Sequence, residues 1–155
     1  MRPAANVLGS LLLGLCFALP VQAQEYLLDD LFGQMFQLHD QGRFSEAIEV
    51  AERALEVAEA TFGVDHPNVG ISLNNLAYLL NLQGQWTISR LLYARALTIL
   101  EKGLGRDHER VGIILRNMAD CCRRLGKYRE ADELEARAEG IETGGRPTSE
   151  DAPPP

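Results

Sequence analysis

The middle of the chain decides the fold, and its residues 62–97 are FGVDHPNVGISLNNLAYLLNLQGQWTISRLLYARAL. Two groups of apolar or small side chains, in this segment and just beyond it, show the three- and four-residue spacing of one face of an α-helix. The first group is Leu73, Leu76, Ala77 and Leu80, and the second is Ile88, Leu91, Leu92 and Leu100. Gly84 lies between them, and glycine readily adopts the left-handed backbone angles that end a helix. The segment therefore predicts two helices joined by a tight turn.

The same pattern occurs three times, with a period of 42 residues. At each turn a glycine is followed two residues later by an aromatic residue, which is expected to fill the corner. These residues are Gly42, Gly84 and Gly126, with Phe44, Trp86 and Tyr128. Small residues recur as Ala47, Ser89 and Ala131, and as Ala54, Ala96 and Ala138, and would let paired helices approach closely. A fixed period of this length predicts an array in which each helix pair buries its apolar face against a neighbour.

The residues just before the predicted helices also repeat. Asp65 and Asp107 are expected to be helix N-caps, and Pro67 suits the first helical turn, where its missing N–H costs nothing. His66 and His108 stand beside these aspartates. One histidine per repeat does not provide the several ligands that a metal needs, so we assign both a structural role in closing the loop.

These repeats resemble tetratricopeptide repeats, in particular the 42-residue kind found in kinesin light chains and many bacterial proteins. The resemblance rests on residues 62–69 (FGVDHPNV), 73–77 (LNNLA), 84–86 (GQW) and 93–97 (YARAL), and it spans about Leu28 to Glu139. It implies an all-α fold, a right-handed α-solenoid of about three helix pairs. In such arrays the first helix of each pair lines a concave groove, where extended or helical peptides bind.

We expect a repeat domain over residues 24–140, with repeats at about 28–63, 68–105 and 110–140. The outer repeats depart from the middle one: Gly33 replaces Asn75, and Glu135 replaces Tyr93. Terminal repeats are often atypical because one face meets solvent. Residues 141–155 end in three prolines and predict a disordered tail. With no further helix to cover it, the last repeat would expose an edge that favours a homodimer or a capping partner.

The N-terminal residues 1–23 predict a secretory signal peptide. Arg2 precedes an apolar run from Val7 to Leu19, and cleavage is expected after Ala23. A membrane span needs about 20 residues, so this shorter run predicts no stable membrane anchor after cleavage. We therefore expect a periplasmic or secreted protein, and alanine- and arginine-rich usage favours a bacterial source.

Amide and aromatic side chains lie on the face of the middle repeat that points away from the predicted core. An asparagine side chain both donates and accepts hydrogen bonds, so it can hold a peptide backbone without demanding a particular sequence. The same amides could instead bridge neighbouring helices or face water. The candidate partner-binding residues here are Asn74, Asn75, Tyr78 and Asn81, together with Asn117, the counterpart of Asn75.

Arginines extend this face in the third repeat. Arg116, Arg123 and Arg124 are candidate partner-binding residues, whereas the first repeat has Asp29 and Asp40 there. A groove that runs from acidic to basic would favour a partner with an acidic segment at the third repeat. The alternative is that the arginines only complement the dipole at a helix C-terminus.

Two adjacent cysteines follow in the same predicted helix. Cys122 aligns with Leu38 and Leu80 and is expected in the core. Cys121, if exposed in an oxidising compartment, could form an intermolecular disulfide.

The composition disfavours several classes of function. With 15 basic and 22 acidic residues the net charge is -7, so an extended nucleic-acid surface is not expected. The three histidines and three cysteines have none of the usual zinc or haem spacings, and no catalytic constellation can be assigned. We therefore expect no metal, no cofactor and no enzyme activity.

Together these features predict an exported, non-catalytic adaptor that binds a protein or peptide through a concave groove. The alternative is a structural subunit that self-assembles or docks permanently in an envelope complex. Reversing the charge of Arg123 and Arg124 would separate the two, since only the adaptor would lose an acidic partner while keeping its oligomeric state.

Overall fold

Six α-helices alternate with short turns in residues 20–144, the part of the chain that the computed structural model describes. They are α1 (Val21–Asp40), α2 (Phe44–Phe62), α3 (Pro67–Leu82), α4 (Trp86–Leu104), α5 (Glu109–Arg124) and α6 (Tyr128–Glu142). These residues contain no β-strand, so the predicted all-α class is confirmed. Consecutive helices pack as a first pair (α1 and α2), a second pair (α3 and α4) and a third pair (α5 and α6).

The chain divides into two compact units between Val64 and Asp65. The first unit contains the first helix pair, in which Leu28, Leu31 and Met35 of α1 are buried. The second unit contains the second and third pairs. The candidate binding residues all belong to this second unit.

Glycine ends the first helix of each pair, as predicted. Gly84 has φ of 79°, and the next N–H, that of Gln85, donates to the carbonyl of Leu80 at 2.9 Å. Gly126 repeats this geometry with φ of 73°. These bonds satisfy carbonyls at the end of the helix and reverse the chain.

The columns of small residues bring the paired helices into close contact. Ala77, Ser89 and Ala96 are fully buried, and the Ser89 hydroxyl donates to the carbonyl of Ala77 at 2.6 Å. A larger side chain at Ser89 would push α3 and α4 apart. The expected role of these columns is confirmed.

The predicted buried face of α4 was wrong in part. Leu100 is buried, but Ile88 and Leu91 are 50% and 61% exposed. The buried face instead passes through the small residues Ser89 and Ala96 and through Tyr93, Ile99 and Leu100. Ser89 must face α3 to reach Ala77, and that orientation turns Ile88 and Leu91 outward.

The N-cap assignment also needs correction. His66 and His108, rather than the preceding aspartates, are the N-caps of α3 and α5. Each imidazole Nδ1 accepts the backbone N–H two residues later, at 3.1 Å in both helices. Asp65 is one residue too early and instead forms a 3.0 Å ion pair with Lys102. Pro67 occupies the first turn of α3, as predicted.

The outer boundaries differ from those predicted. Helix α1 begins at Val21 rather than near residue 28, because Gln24 continues the buried spacing of Leu28 by one more turn. Helix α6 continues to Glu142, two residues into the predicted tail, and Thr143 bonds back to the carbonyl of Glu139 at 3.0 Å. Residues 1–19 and 145–155, with most of the predicted signal peptide and tail, lie outside the described residues. No helix within residues 20–144 is long and apolar enough to span a membrane.

Polar contacts join the second and third pairs. Between α3 and α5, Asn117 donates to Asn74 and Asn81 donates to Asp120, both at 3.0 Å. On the other side, α4 forms ion pairs with α6: Arg90 with Glu130 and Glu101 with Arg137. The Cys121 thiol lies 3.1 Å from the carbonyl of Trp86. Trp86 is half-buried, whereas Tyr128, its counterpart in the third pair, is 66% exposed and does not fill its corner.

Candidate partner-binding site

The candidate site is a strip formed by one line of side chains on α3 and the equivalent line on α5. Residues spaced by three or four positions share one helix face, and residues 42 apart occupy equivalent positions in the two helices. The α3–α5 strip consists of Ile71, Asn75, Tyr78 and Leu82 on α3, and of Ile113, Asn117, Asp120 and Arg124 on α5. Every one of these side chains is at least partly accessible to solvent.

The strip exposes apolar groups around a polar centre. Tyr78, Leu82 and Ile113 are all exposed to solvent, although their side chains are large and mainly apolar. Asn75 and Asn117 are half-buried at the centre. Apolar anchors beside amides suit an extended segment, whose side chains can cover the anchors while its backbone bonds to the amides.

The predicted amides act first as links between helices. Asn74 accepts from Asn117 at 3.0 Å and donates to Asn75 at 3.4 Å, and Asn81 donates to Asp120. Helix bridging, which the sequence left open as an alternative to ligand binding, is therefore present. Asn75 uses its oxygen in this network and does not use its carboxamide nitrogen there.

The three predicted arginines are separated by the structure. Arg124 lies on the α3–α5 strip, where its Nε is 3.7 Å from the Asp120 carboxylate. Arg116 and Arg123 turn away from the strip towards α6. Arg116 pairs with Glu142, and Arg123 pairs with Glu135 and lies 3.7 Å from Asp132. The sequence suggested one arginine cluster, whereas the structure distributes the arginines over two surfaces.

The electrostatics of these pairs follow from their hydrogen bonds. The guanidinium of Arg123 lowers the pKa of the Glu135 carboxyl by donating to it, and the carboxylate raises the pKa of Arg123 in return. Both groups are therefore ionised near neutral pH. A pair satisfied in this way offers less attraction to an acidic ligand than a free arginine would.

Asp120 is a site residue that sequence reasoning did not select. It occupies the column of Tyr78, 42 residues later, and accepts from Asn81 in the strip. The repeat alignment contained this signal, because any residue in the Tyr78 column shares its exposure. In the first compact unit, the residue of this column, Phe36, is likewise exposed.

The two cysteines are buried in α5. Burial is the main cause that raises the pKa of the Cys122 thiol to about 11, and it also raises the pKa of Cys121. Cys122 is in the core as predicted. Cys121 is buried too, so the exposure on which an intermolecular disulfide depended is not present; its thiol packs against the Trp86 carbonyl at the junction of the second and third pairs.

Among residues 20–144, no three His, Cys, Asp or Glu side chains are arranged to hold a metal ion. His66 and His108 use their Nδ1 atoms as helix caps. The chemistry of the described surface is thus that of apolar contacts, amide hydrogen bonds and ion pairs.

Comparisons with known proteins agree with this architecture. A family model described as tetratricopeptide repeat matches residues 36–102 and 70–141. Among solved structures, the TPR domain of FLU from Arabidopsis has a TM-score of 0.66, with 17% identity, and the match covers 80% of this chain and 99% of that one. BtubC (BKLC) from P. vanneervenii has a TM-score of 0.56 at 15% identity, covering 85% and 68%. No curated protein matches the sequence. At these identities the structural likeness shows the fold alone, and it confirms the predicted fold class.

Proposed function

Since this chain belongs to the tetratricopeptide repeat family, a family of protein-interaction scaffolds, we propose that it is a non-catalytic adaptor that binds a protein or peptide through the α3–α5 strip. The observation that supports this proposal best is the exposure of Tyr78, Leu82 and Ile113 beside the half-buried amides Asn75 and Asn117. Tyr78 and Leu82 lie one turn apart on α3, and large apolar side chains exposed together in this way commonly mark interaction sites.

The chemistry of the strip favours an extended segment with aliphatic or aromatic side chains. Its apolar groups would cover Tyr78, Leu82 and Ile113, and its backbone carbonyls would accept from the Asn75 carboxamide. Asp120 and Arg124, which lie 3.7 Å apart at the positions equivalent to Tyr78 and Leu82, would hold a polar or charged residue of the ligand. Amide and ion-pair contacts would fix the direction of the ligand, and apolar burial would supply most of the affinity.

A preference for acidic segments would depend on Arg124 alone within the strip. Arg116 and Arg123 are already paired with glutamates of α6, so an acidic ligand would have to displace those partners. We therefore place the acidic residue of such a ligand, if it has one, beside Arg124. Arg124 has an exposed side chain and only a long contact with Asp120.

We also propose that the protein acts in the periplasm or outside the cell. The support is the N-terminal sequence, in which Arg2, the apolar run from Val7 to Leu19 and the small residues up to Ala23 match a secretory signal. The similarity of the repeats to the kinesin light chain variety rests likewise on the sequence, through the 42-residue period and the motif at residues 62–69.

The proposal is tested by affinity capture from an envelope extract with two matched variants. Tyr78→Glu with Ile113→Glu places charge on the strip, whereas Ile88→Glu with Leu91→Glu places the same charge on the exposed face of α4, away from the strip. The partner should be retained by the wild type and by the α4 variant and lost by the strip variant. Circular dichroism establishes that both variants keep their helices.

The outcomes separate the adaptor from the structural subunit. If the α4 variant loses the partner and the strip variant retains it, binding lies on the other face and the proposed site is wrong. If only the chain itself is captured, equally by all three proteins, the adaptor proposal fails in favour of self-assembly. A peptide array of the captured partner then locates the bound segment, and replacing its acidic residues tests the role given to Arg124.

A further inference from the structure

The three repeats differ systematically in one set of columns. The second pair places Tyr93, Leu97 and Leu100 on α4, and the equivalent residues of the first pair, Ala51, Leu55 and Ala58, are also apolar. The third pair has glutamate at all three positions: Glu135, Glu139 and Glu142. Three coordinated changes from apolar to acidic call for a physical explanation.

The Tyr93 column lies on the side where the following pair packs. In the second pair Tyr93 is buried near Cys121 and Asp120 of α5, and Leu100 is buried beside Gly70 of α3. Asn74 and Asn81 of α3 point the same way and bond to α5. This side of the second pair is thus the surface on which the third pair stacks.

The equivalent surface of the third pair is charged and paired with itself. Arg116 and Arg123 replace Asn74 and Asn81, and they bind Glu142 and Glu135 of α6. Asp132 replaces Arg90 and lies near Arg123. We name this surface the terminal face, and it comprises Arg116, Arg123, Asp132, Glu135, Glu139 and Glu142.

We propose that the terminal face ends the stack of helix pairs and prevents another helix pair, including one from a second copy of this chain, from packing there. Stacking would remove the ionised side chains of the terminal face from water. Desolvation of ion pairs opposes such burial, even when the pairs remain intact. The arginines of the third pair bond to glutamates of the same pair. The equivalent asparagines of the second pair bond instead to α5 of the third pair.

A cavity on the terminal face supports this inference. It has a volume of about 460 Å³ and lies where α5 begins and α6 ends, lined by Gly112, Ile113 and Ile141 together with charged residues that include Arg116 and Glu142. In the second pair the position of Glu142 is occupied by Leu100, which is buried. The third pair therefore has charge where the second pair has apolar packing.

This inference opposes the homodimer expected from the sequence. That expectation treated the last repeat as an edge that no further helix covers. The ion pairs of Arg116 and Arg123 instead satisfy this edge within the chain. Terminal repeats with a polar outer face are a general requirement for the solubility of repeat arrays.

The test restores the second pair's leucines on the terminal face of the full chain. Glu139→Leu and Glu142→Leu introduce the residues of the Leu97 and Leu100 columns. The matched control, Arg129→Leu with Glu133→Leu, places two leucines on the exposed outer side of the same helix, where the native side chains are 94% and 71% accessible. All proteins share the same residues 1–19, so any association through that segment is common to them.

Sedimentation velocity over a range of concentrations gives the result. The weight-average mass of the terminal-face variant should increase by about twofold or more, since a dimer is the smallest assembly. The control should have the same weight-average mass as the wild type. Equal association of variant and control would overturn the proposal, because it would show only general adhesion of leucines. No association of the variant, with helicity retained, would also overturn it. So would a wild-type dimer that dissociates when Arg123 is replaced by Asn.

Discussion

A single imidazole nitrogen starts each of the helices α3 and α5. Nδ1 of His66 accepts from Asn68, and Nδ1 of His108 accepts from Arg110, which satisfies one of the N–H groups that a helix start leaves without a partner. The ring performs the task for which serine or aspartate is more common. The preceding Asp65 is left to form a surface ion pair with Lys102.

Replacing the cap should cost more stability than replacing the acid beside it. His66→Ala should lower the free energy of unfolding by about 1 kcal/mol through the lost cap. Asp65→Ala should lower the free energy of unfolding by only about 0.3 kcal/mol, since exposed ion pairs contribute little to stability. Urea unfolding of the two variants measures the difference, and a larger loss for Asp65→Ala would refute the assignment of histidine as the cap.

The two cysteines show how one residue's surroundings set its chemistry. Only the thiolate reacts readily, and burial keeps both thiols protonated at neutral pH. Burial raises the pKa of Cys122 to about 11 and also raises that of Cys121. Adjacent positions in the sequence therefore do not form a reactive pair here.

Both thiols should be inert in the folded protein at neutral pH. Labelling by iodoacetamide near neutral pH should proceed only as fast as the protein unfolds. In urea, the labelling should become complete. Stability should fall as the pH rises above about 9, because the unfolded thiol ionises there while folded Cys122 remains protonated to about 11. Rapid native labelling of Cys121 would contradict its burial.

At the scale of the helix pair, close packing depends on which residues fit between the helices. Gly70 lies in α3 where a Cβ would be 2.8 Å from the Leu100 side chain and 3.3 Å from the Ala96 carbonyl. Its counterpart Gly112 in α5 has more room, since a Cβ there would be 3.6 Å from Ile141. The same column is therefore tight in the second pair and open in the third.

The same substitution should have opposite effects at these two glycines. Gly70→Ala should destabilise the protein by about 1 to 3 kcal/mol, because Leu100 is buried and has little freedom to move away. Gly112→Ala should stabilise it by about 0.5 to 1 kcal/mol, since alanine favours the helix and meets only ordinary contacts. Thermal unfolding of both variants checks this, and destabilisation of similar size at both sites would show that α5 and α6 pack as tightly as α3 and α4.

The helices themselves could be predicted because they depend on local patterns and on the period of 42 residues. The turn at Gly84 and the buried column at Ser89 followed directly from that period. The outward orientation of Ile88 and Leu91 could not be predicted, because apolar spacing identifies a helix without deciding which of two apolar faces is buried. The pairing of Arg116 and Arg123 with α6 could not be predicted either, because it depends on how α5 and α6 are oriented relative to each other.

At the scale of the whole chain, the described helices begin just inside the predicted signal sequence. Helix α1 starts at Val21, and Gln24 is buried in its second turn. Cleavage after Ala23 would remove the first three residues of that helix and Arg2, but no acidic residue, so the net charge would change from -7 to -8. The remaining helix would keep Leu28, Leu31 and Met35, which form its buried face.

Intact-mass analysis of protein isolated from its native host should find a mature chain that begins at Gln24. The reason is the combination of the apolar run and small residues before that position. Replacing Ala23 by Arg should block processing and leave the longer chain, whereas the same change at Gln22 should be tolerated better. Recovery of only the unprocessed chain from the wild type would refute the predicted cleavage after Ala23.

The charges of the terminal face also constrain how such a gene can lengthen. Duplication of a 42-residue segment adds one helix pair, and the new pair must present a surface on which its neighbour can stack. A copy of the second pair, inserted before the third, would offer Tyr93 and Leu100 on one side and would leave Glu135 and Glu142 at the end. A copy added after the third pair would meet those glutamates. We therefore expect duplications that lengthen the array to insert new helix pairs before the third pair, which keeps its place as the final pair.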